Sequence, residues 1–173
     1  MRRDIQHIDD DIIRKKRIIE QTLYSDPDIV EVLDDPDIDP SCPEELLYKS
    51  IYPFIRIPGT QDTSKNYITF SISDMGLSPL NEVMKNQYVQ FVIFVHKNLA
   101  KTNYGMARHD CLGYLIRDIF NLSDKLGTQM NLVSSVEGAT DTDYLTRTLK
   151  FELVDNNSTK PCRTNPYEYG VRR

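Results

Sequence analysis

The chain has 173 residues, 39% hydrophobic and 27% charged, with a net charge of -5, which fits one ordinary domain with extensions and excludes a disordered chain or two full domains. Its longest apolar run, residues 91–95, is far shorter than the ~20 residues of a membrane-spanning helix, and no apolar segment follows the N-terminal arginines, so a cytoplasmic product without membrane association is expected. Three scattered cysteines, Cys42, Cys111 and Cys162, contain no CxxC pair and encode neither a disulfide framework nor a zinc site.

Taken in chain order, Ile5, Ile8, Ile12, Ile19 and Leu23 recur near helical spacing and predict an amphipathic helix of about five turns, with the basic run at 14–17 on its solvated face. "SDPDIVEVLDD" follows, with a capping residue, Pro27 at the helix start and Ile29, Val30 and Leu33 on one face, which predicts a second, short helix. Pro36, Pro40 and Pro43 then forbid regular structure, and residues 44–50 are read as a turn of helix. Charge is uneven here. Residues 1–24 carry six Lys/Arg and five Asp/Glu, and residues 25–47 carry nine acids and no Lys/Arg. Asp35, Asp37 and Asp39 alternate like a calcium loop, but Pro40 stands where that loop needs glycine and Leu46 where it needs its closing glutamate. Calcium is therefore not expected.

"IYPFIRIP" (51–58) and "NYITFSIS" (66–73) are the first extended segments, separated by turn formers. After a loop with Gly76 and Pro79, residues 87–96 form a near-continuous run of β-branched and aromatic residues, which predicts a central strand buried on both faces. In residues 104–120, Leu112, Leu115, Ile116, Ile119 and Phe120 mark a helix. Arg108, His109, Asp110 and Cys111 precede that stripe side by side. Successive helical residues point about 100° apart, so these neighbours radiate rather than converge, and no matching ligand stands at i+4 from His109. Cys111 is read as a packing residue and Asp110 as a complement to the helix dipole. Strands at 130–138 and 144–155, joined by "ATDTD", read as a hairpin. Residues 156–173 hold four bases, one acid and no apolar period, and are read as a flexible arm.

The expected architecture is α+β: a mixed, mostly antiparallel sheet of four to five strands with helices packed mainly on one face. Residues 1–47 form an N-terminal helical extension with an acidic connector, residues 48–155 a charge-neutral core domain, and residues 156–173 the C-terminal arm. No glycine-rich phosphate loop, GxSxG element or paired carboxylates beside a nucleophile is present, and His7 and His96 stand alone. No enzymatic activity, metal or cofactor is expected. The run at 14–17 with Arg172 and Arg173 leaves a small nucleic-acid-binding module as an alternative.

Three stretches, "SIYPFIRIPGTQDTSKNYITFSI" (50–72), "VIFVHKNLAKTNYGMARHDCLGYLIRDIFN" (92–121) and "LVSSVEGATDTDYLTRTLKFELVD" (132–155), carry the elements IP-x-TQ, RHD-x-LxYLI and EG-x-xDT. Together they resemble the tail-terminator and tail-completion proteins of long-tailed bacteriophages. The resemblance covers roughly residues 20–156. It implies a structural virion subunit that assembles with itself as a ring, usually a hexamer. The ring caps the tail tube and joins it to the neck of the head. Its implied partners are the tail tube protein and the head-completion or stopper protein, with DNA only as passing cargo. A head-completion or stopper protein is the alternative within this setting. The protein would be assembled in the host cytoplasm and end in the tail-neck region of the virion. For a ring that passes DNA, Glu137, Asp141 and Asp143 are the candidates for an acidic lumen wall, with Arg147 as their nearest balancing charge. Arg163, Tyr167, Tyr169, Arg172 and Arg173 of the arm are the candidates for docking a partner.

Overall fold

The computed structural model describes residues 10–39, 41–59, 64–78 and 81–156. Helix α1, Asp11–Ser25, starts where the Asp10 carboxylate accepts hydrogen bonds from the Ile12 and Ile13 N–H groups, two donors that helix geometry leaves unpaired. Asp26 both ends α1 and caps α2, Pro27–Leu33, accepting from the Asp28 and Ile29 N–H groups. One aspartate thus separates the two helices. Helix α2 stops at Asp34, which takes the left-handed conformation and returns its N–H to the Val30 carbonyl. In the acidic connector, Asp35 and Asp39 accept from the N–H groups of Asp37 and Ser41, two residues on, so part of that charge run is turn chemistry. A 3-10 turn, Pro43–Leu46, closes it.

The sheet has five strands: β1, Ile51–Tyr52; β2, Asn66–Ser78; β3, Asn81–His96; β4, Asn131–Ala139; and β5, Tyr144–Asn156. Their spatial order is β1-β2-β3-β5-β4. Only β1 with β2 is parallel; the other three pairings are antiparallel. This is the mixed, mostly antiparallel α+β sheet that the pattern implied. Strand β3 lies at its centre, and Phe91, Val92, Ile93, Phe94 and Val95 are all buried. Helix α3, Arg108–Phe120, connects β3 to the β4–β5 pair.

Two extended segments differ from expectation. The stretch expected as a strand over 51–58 pairs only through Ile51 and Tyr52. Pro53 and Pro58 lack the N–H that a ladder needs, and residues 53–58 run on as a strap whose Pro58 carbonyl accepts from the Thr142 hydroxyl at 3.1 Å. Gly76, expected in a loop, lies instead in the distal part of a long hairpin, since β2 extends to Ser78 and β3 begins at Asn81, while Pro79 lies outside the described residues. The hairpin's register shifts between Asp74 and Leu77, where Gly76 has a φ of +98°. A ribbon exposed on both sides buries no face, so it writes no alternation into the sequence.

The main core lies between the helices and one sheet face. Phe91 stands at its centre, with ring centroids 5.9, 5.2 and 5.7 Å from Phe70, Phe120 and Phe151. Ile19 and Leu23 of α1 and Ile29 and Leu33 of α2 belong to this same cluster, and each buried side chain contributes about 1.5–3 kcal/mol. The change of charge at residue 47 is therefore not a change of packing: the N-terminal helices complete the core. On the opposite face Tyr52, Tyr67, Val92, Phe94 and Tyr144 form a smaller cluster, with the Arg56 guanidinium 4.7 Å from the Tyr52 ring centre.

The basic run at 14–17 is not a wholly solvated face. Lys15 is completely buried and donates to Asp11 at 2.8 Å, to Asp155 at the end of β5 and to Gln87 of β3. Lys16 donates to the Pro53 carbonyl at 2.6 Å. The amphipathic stripe extends to Lys15 because its ammonium meets carboxylates, which periodicity counted over apolar residues does not register. Among the described residues no helix is long and apolar enough to cross a membrane.

Candidate functional site

The residues that stand side by side at the start of α3 are sorted by the fold into three different jobs. Arg108 donates to the Leu99 carbonyl at 2.8 Å and the Val32 carbonyl at 2.5 Å, and pairs with Asp34 at 3.1 Å. It ties the end of α2 to α3. Cys111 turns into the core as a buried free thiol whose pKa burial pushes up. His109 and Asp110 turn towards the sheet and meet Glu137 and Arg147.

Those last two come from β4 and β5, where they are directly opposite register partners and so reach α3 from one position on the sheet. His109 Nε2 lies 3.2 Å from Glu137 Oε1 and 3.7 Å from Asp110 Oδ1. Arg147 hydrogen-bonds Asp110 and lies 3.7 Å from the other Glu137 oxygen. Neighbours on α3 thus do converge once β4 supplies a partner, which corrects the expectation from helix geometry alone. His109 is 2% exposed and its Nδ1 has no hydrogen-bond partner among the described residues, while its Nε2 faces the Glu137 carboxylate.

His109, Asp110 and Glu137 offer ligand atoms within 4.8 Å of one another and could surround a cation. The Arg147 guanidinium, however, already contacts both carboxylates, and a divalent ion would have to displace that charge. The arrangement is best described as an ion network of Asp110, Arg147 and Glu137, with His109 hydrogen-bonded to it, locking α3 to the β4–β5 hairpin. It can orient these elements, but it presents no nucleophile beside a base.

Gly113 makes the network possible and is the residue that sequence reasoning missed. A Cβ there would lie 2.9 Å from the Arg147 Cγ, so only glycine lets the arginine stem cross α3 this closely. The available signal was an isolated glycine inside a helical pattern. Beside it lies a cleft of about 330 Å³ lined by Asp110, Tyr114, Arg117, Ser135 and Arg147 among others.

The three lumen candidates do not form one group. Glu137 belongs to the network on the helix side, whereas Asp141 and Asp143 lie in the turn between β4 and β5. Asp143 is held at 2.6 Å by Lys97, whose hydrogen bond and charge bring its carboxyl below the usual range. Arg147 balances Glu137, and Lys97 balances Asp143. His96 uses Nδ1 to accept from the Asn98 N–H at 3.3 Å and stacks edge-on to Tyr144, a local structural role. His7 and the docking candidates Arg163, Tyr167, Tyr169, Arg172 and Arg173 lie outside the described residues.

Exposed apolar side chains include Met75, Leu77 and Val83 on the distal β2–β3 hairpin, Val133 and Val136 on β4, and Tyr48 with Phe54 beside β1. Among the described residues strand β4 is an edge of the sheet, which leaves its outer backbone groups without a paired strand. The β1 edge is short and carries the Tyr48–Phe54 ring pair, centroids 6.5 Å apart.

A family model described as YomW, named after a Bacillus phage-region protein, matches residues 12–153. No curated protein matches the chain.

Proposed function

The chain belongs to the YomW family and is a phage-related protein, and from this premise we propose that it is a tail terminator, a structural subunit that forms a ring on the end of the tail tube and joins it to the head-neck connector. The observation that supports the reading best is the unlike character of the two sheet edges. One is the open β4 ladder with Val133 and Val136; the other is the short β1 with Tyr48 and Phe54. A ring of identical copies needs two different surfaces that fit each other head to tail, and two unlike apolar edges at opposite sides of one sheet suit that requirement. The hairpin carrying Met75, Leu77 and Val83 reaches beyond the core and supplies a further apolar contact, for the tube. The turn acid Asp141 then faces the passing DNA and repels it, while Asp143 is paired with Lys97. In this role surface fit does the work and no turnover is involved.

The test is mass measurement of the purified protein alone and with assembled tail tubes, combined with imaging of the tube ends. Rings closing the ends, at a mass several times that of one chain, agree with the proposal. A chain that stays single and binds neither itself nor the tubes overturns it.

A further inference from the structure

Between the C-terminal end of α1, α2 and the acidic connector lies a cleft of about 540 Å³. Its floor is apolar, with Tyr24, Val30, Ile38 and Leu46, and its rim carries Glu31, Asp34 and Asp35. Two rim charges are answered within the fold: Asp34 by Arg108 and Asp35 by Lys65. Glu31 accepts only the Tyr104 hydroxyl, and neither it nor nearby Asp28 or Glu44 has a cationic partner among the described residues. The cleft therefore suits an extended segment that is both aromatic and basic.

This chain contains such a segment. Beyond Asn156 stand 17 residues with Lys160, Arg163, Arg172 and Arg173 against Glu168, together with Tyr167, Tyr169, Pro161 and Pro166. Its root is fixed, since Asp155 pairs with Lys15 of α1. From Lys15 to the cleft end of α1 at Ser25 is ten residues, about 15 Å of helix, whereas 17 extended residues reach about 58 Å. We infer that the cleft between α1, α2 and the connector is the seat of the chain's own C-terminal arm, with its tyrosines over the apolar floor and its arginines towards Glu31 on the rim and the neighbouring Asp28 and Glu44.

Cys42 stands beside Pro43, which lines the cleft, and Cys111 is buried, so one thiol already marks the site. In the full-length chain, Cys162→Ser with Gly170→Cys places a single thiol near the end of the arm. Under mild oxidation a disulfide between positions 42 and 170 should form about tenfold faster than in a control carrying Cys42→Ser and Ser73→Cys. Ser73 is exposed on β2 and, through Tyr88, lies in register with Glu152 near the arm's root, so an arm without a seat would favour the control. Both 1 M salt and Glu31→Lys should slow the link about three- to tenfold. Peptide mapping of mixed light and heavy isotope-labelled chains should place the bond within one chain. Equal rates in the two variants, indifference to salt and to Glu31→Lys, or bonds found only between copies, as a neighbour's arm would give, each overturn the inference.

Discussion

Gly113 of α3 lies directly against Arg147 of β5: a methyl group at position 113 would come within 2.9 Å of the arginine Cγ. Intrinsic helix propensity favours alanine over glycine by up to about 1 kcal/mol, so an ordinary helix would gain from Gly113→Ala. Here the new methyl pushes away the stem whose guanidinium holds Asp110, and the network opens. Gly113→Ala is expected to lower stability by about 1 kcal/mol or more in urea melts, as overpacking does. In an Arg147→Ala background the same change should become neutral or stabilising. That reversal of sign separates a close approach from a general dislike of alanine.

His109 also belongs to that network, but it is buried where Asp110 is half-exposed. His109→Ala removes a buried ring and leaves a cavity beneath Glu137, which stays exposed and paired with Arg147. A loss of about 1–3 kcal/mol is expected, read as a lower unfolding midpoint, with ring assembly unchanged at temperatures where the fold persists. Added zinc should not raise the midpoint of the natural chain, because Arg147 holds the two carboxylates. In Arg147→Met the three ligands lose that competitor, and a zinc-dependent rise in midpoint there but not in the natural chain would confirm the competition.

Why was so much of the sheet legible and this network not? Strand β3 announces itself because both faces are buried, so Phe91 through Val95 form one apolar run. Helix α3 does so because Leu112, Ile116 and Phe120 enter one core at helical spacing. Both are local patterns. The partners of His109 and Asp110 are 28 and 37 residues away, and only the β4–β5 register brings them there. Lys15 escaped for the same reason: its acceptors Gln87 and Asp155 are 72 and 140 residues distant, and a lysine in a basic run carries no local sign that it is buried. The distal hairpin went unread because Met75, Leu77 and Val83 are exposed and enter no core cluster of the described residues.

Acid should weaken the protein through Asp11 and Asp35. Burial raises both pKa values, but hydrogen bonds and positive charge outweigh it: Lys15, Gln87 and Lys85 for Asp11, and Ser50, the Asp37 N–H and Lys65 for Asp35. Both folded-state values therefore lie below the ordinary aspartate range. A depressed carboxylate contributes stability that is present above its unfolded pKa, about 3.9, and disappears as pH falls through the folded value. The urea midpoint should thus hold to about pH 5 and drop steeply below about pH 4. In Asp11→Asn the drop should be shallower, and the midpoint at pH 7 lower. An identical acid profile in the two proteins would rule out Asp11 as a contributor.

The edge of β4 gives the sharpest test of the proposed ring. Val136 is 56% exposed and lies opposite Thr148, on a strand whose outer ladder has no neighbouring strand among the described residues. Substituting it should move stability by no more than about 0.5 kcal/mol, as at other open surface positions. A lysine there is a natural device against edge pairing, since its charge would be desolvated by any strand or apolar surface laid on it. If identical copies meet through this edge, Val136→Lys should keep the far-ultraviolet spectrum and unfolding midpoint of the natural chain while abolishing ring mass and closure of tube ends. Lys150 belongs to the adjacent strand, with its ammonium 3.8 Å from the Tyr88 ring centre, so Val136→Glu gains an attractive neighbour where lysine does not. A loss of rings in both variants assigns the effect to desolvation of a charge at a contact. A loss in the lysine variant alone assigns it to local repulsion, and rings in both place the contact between copies elsewhere on the subunit.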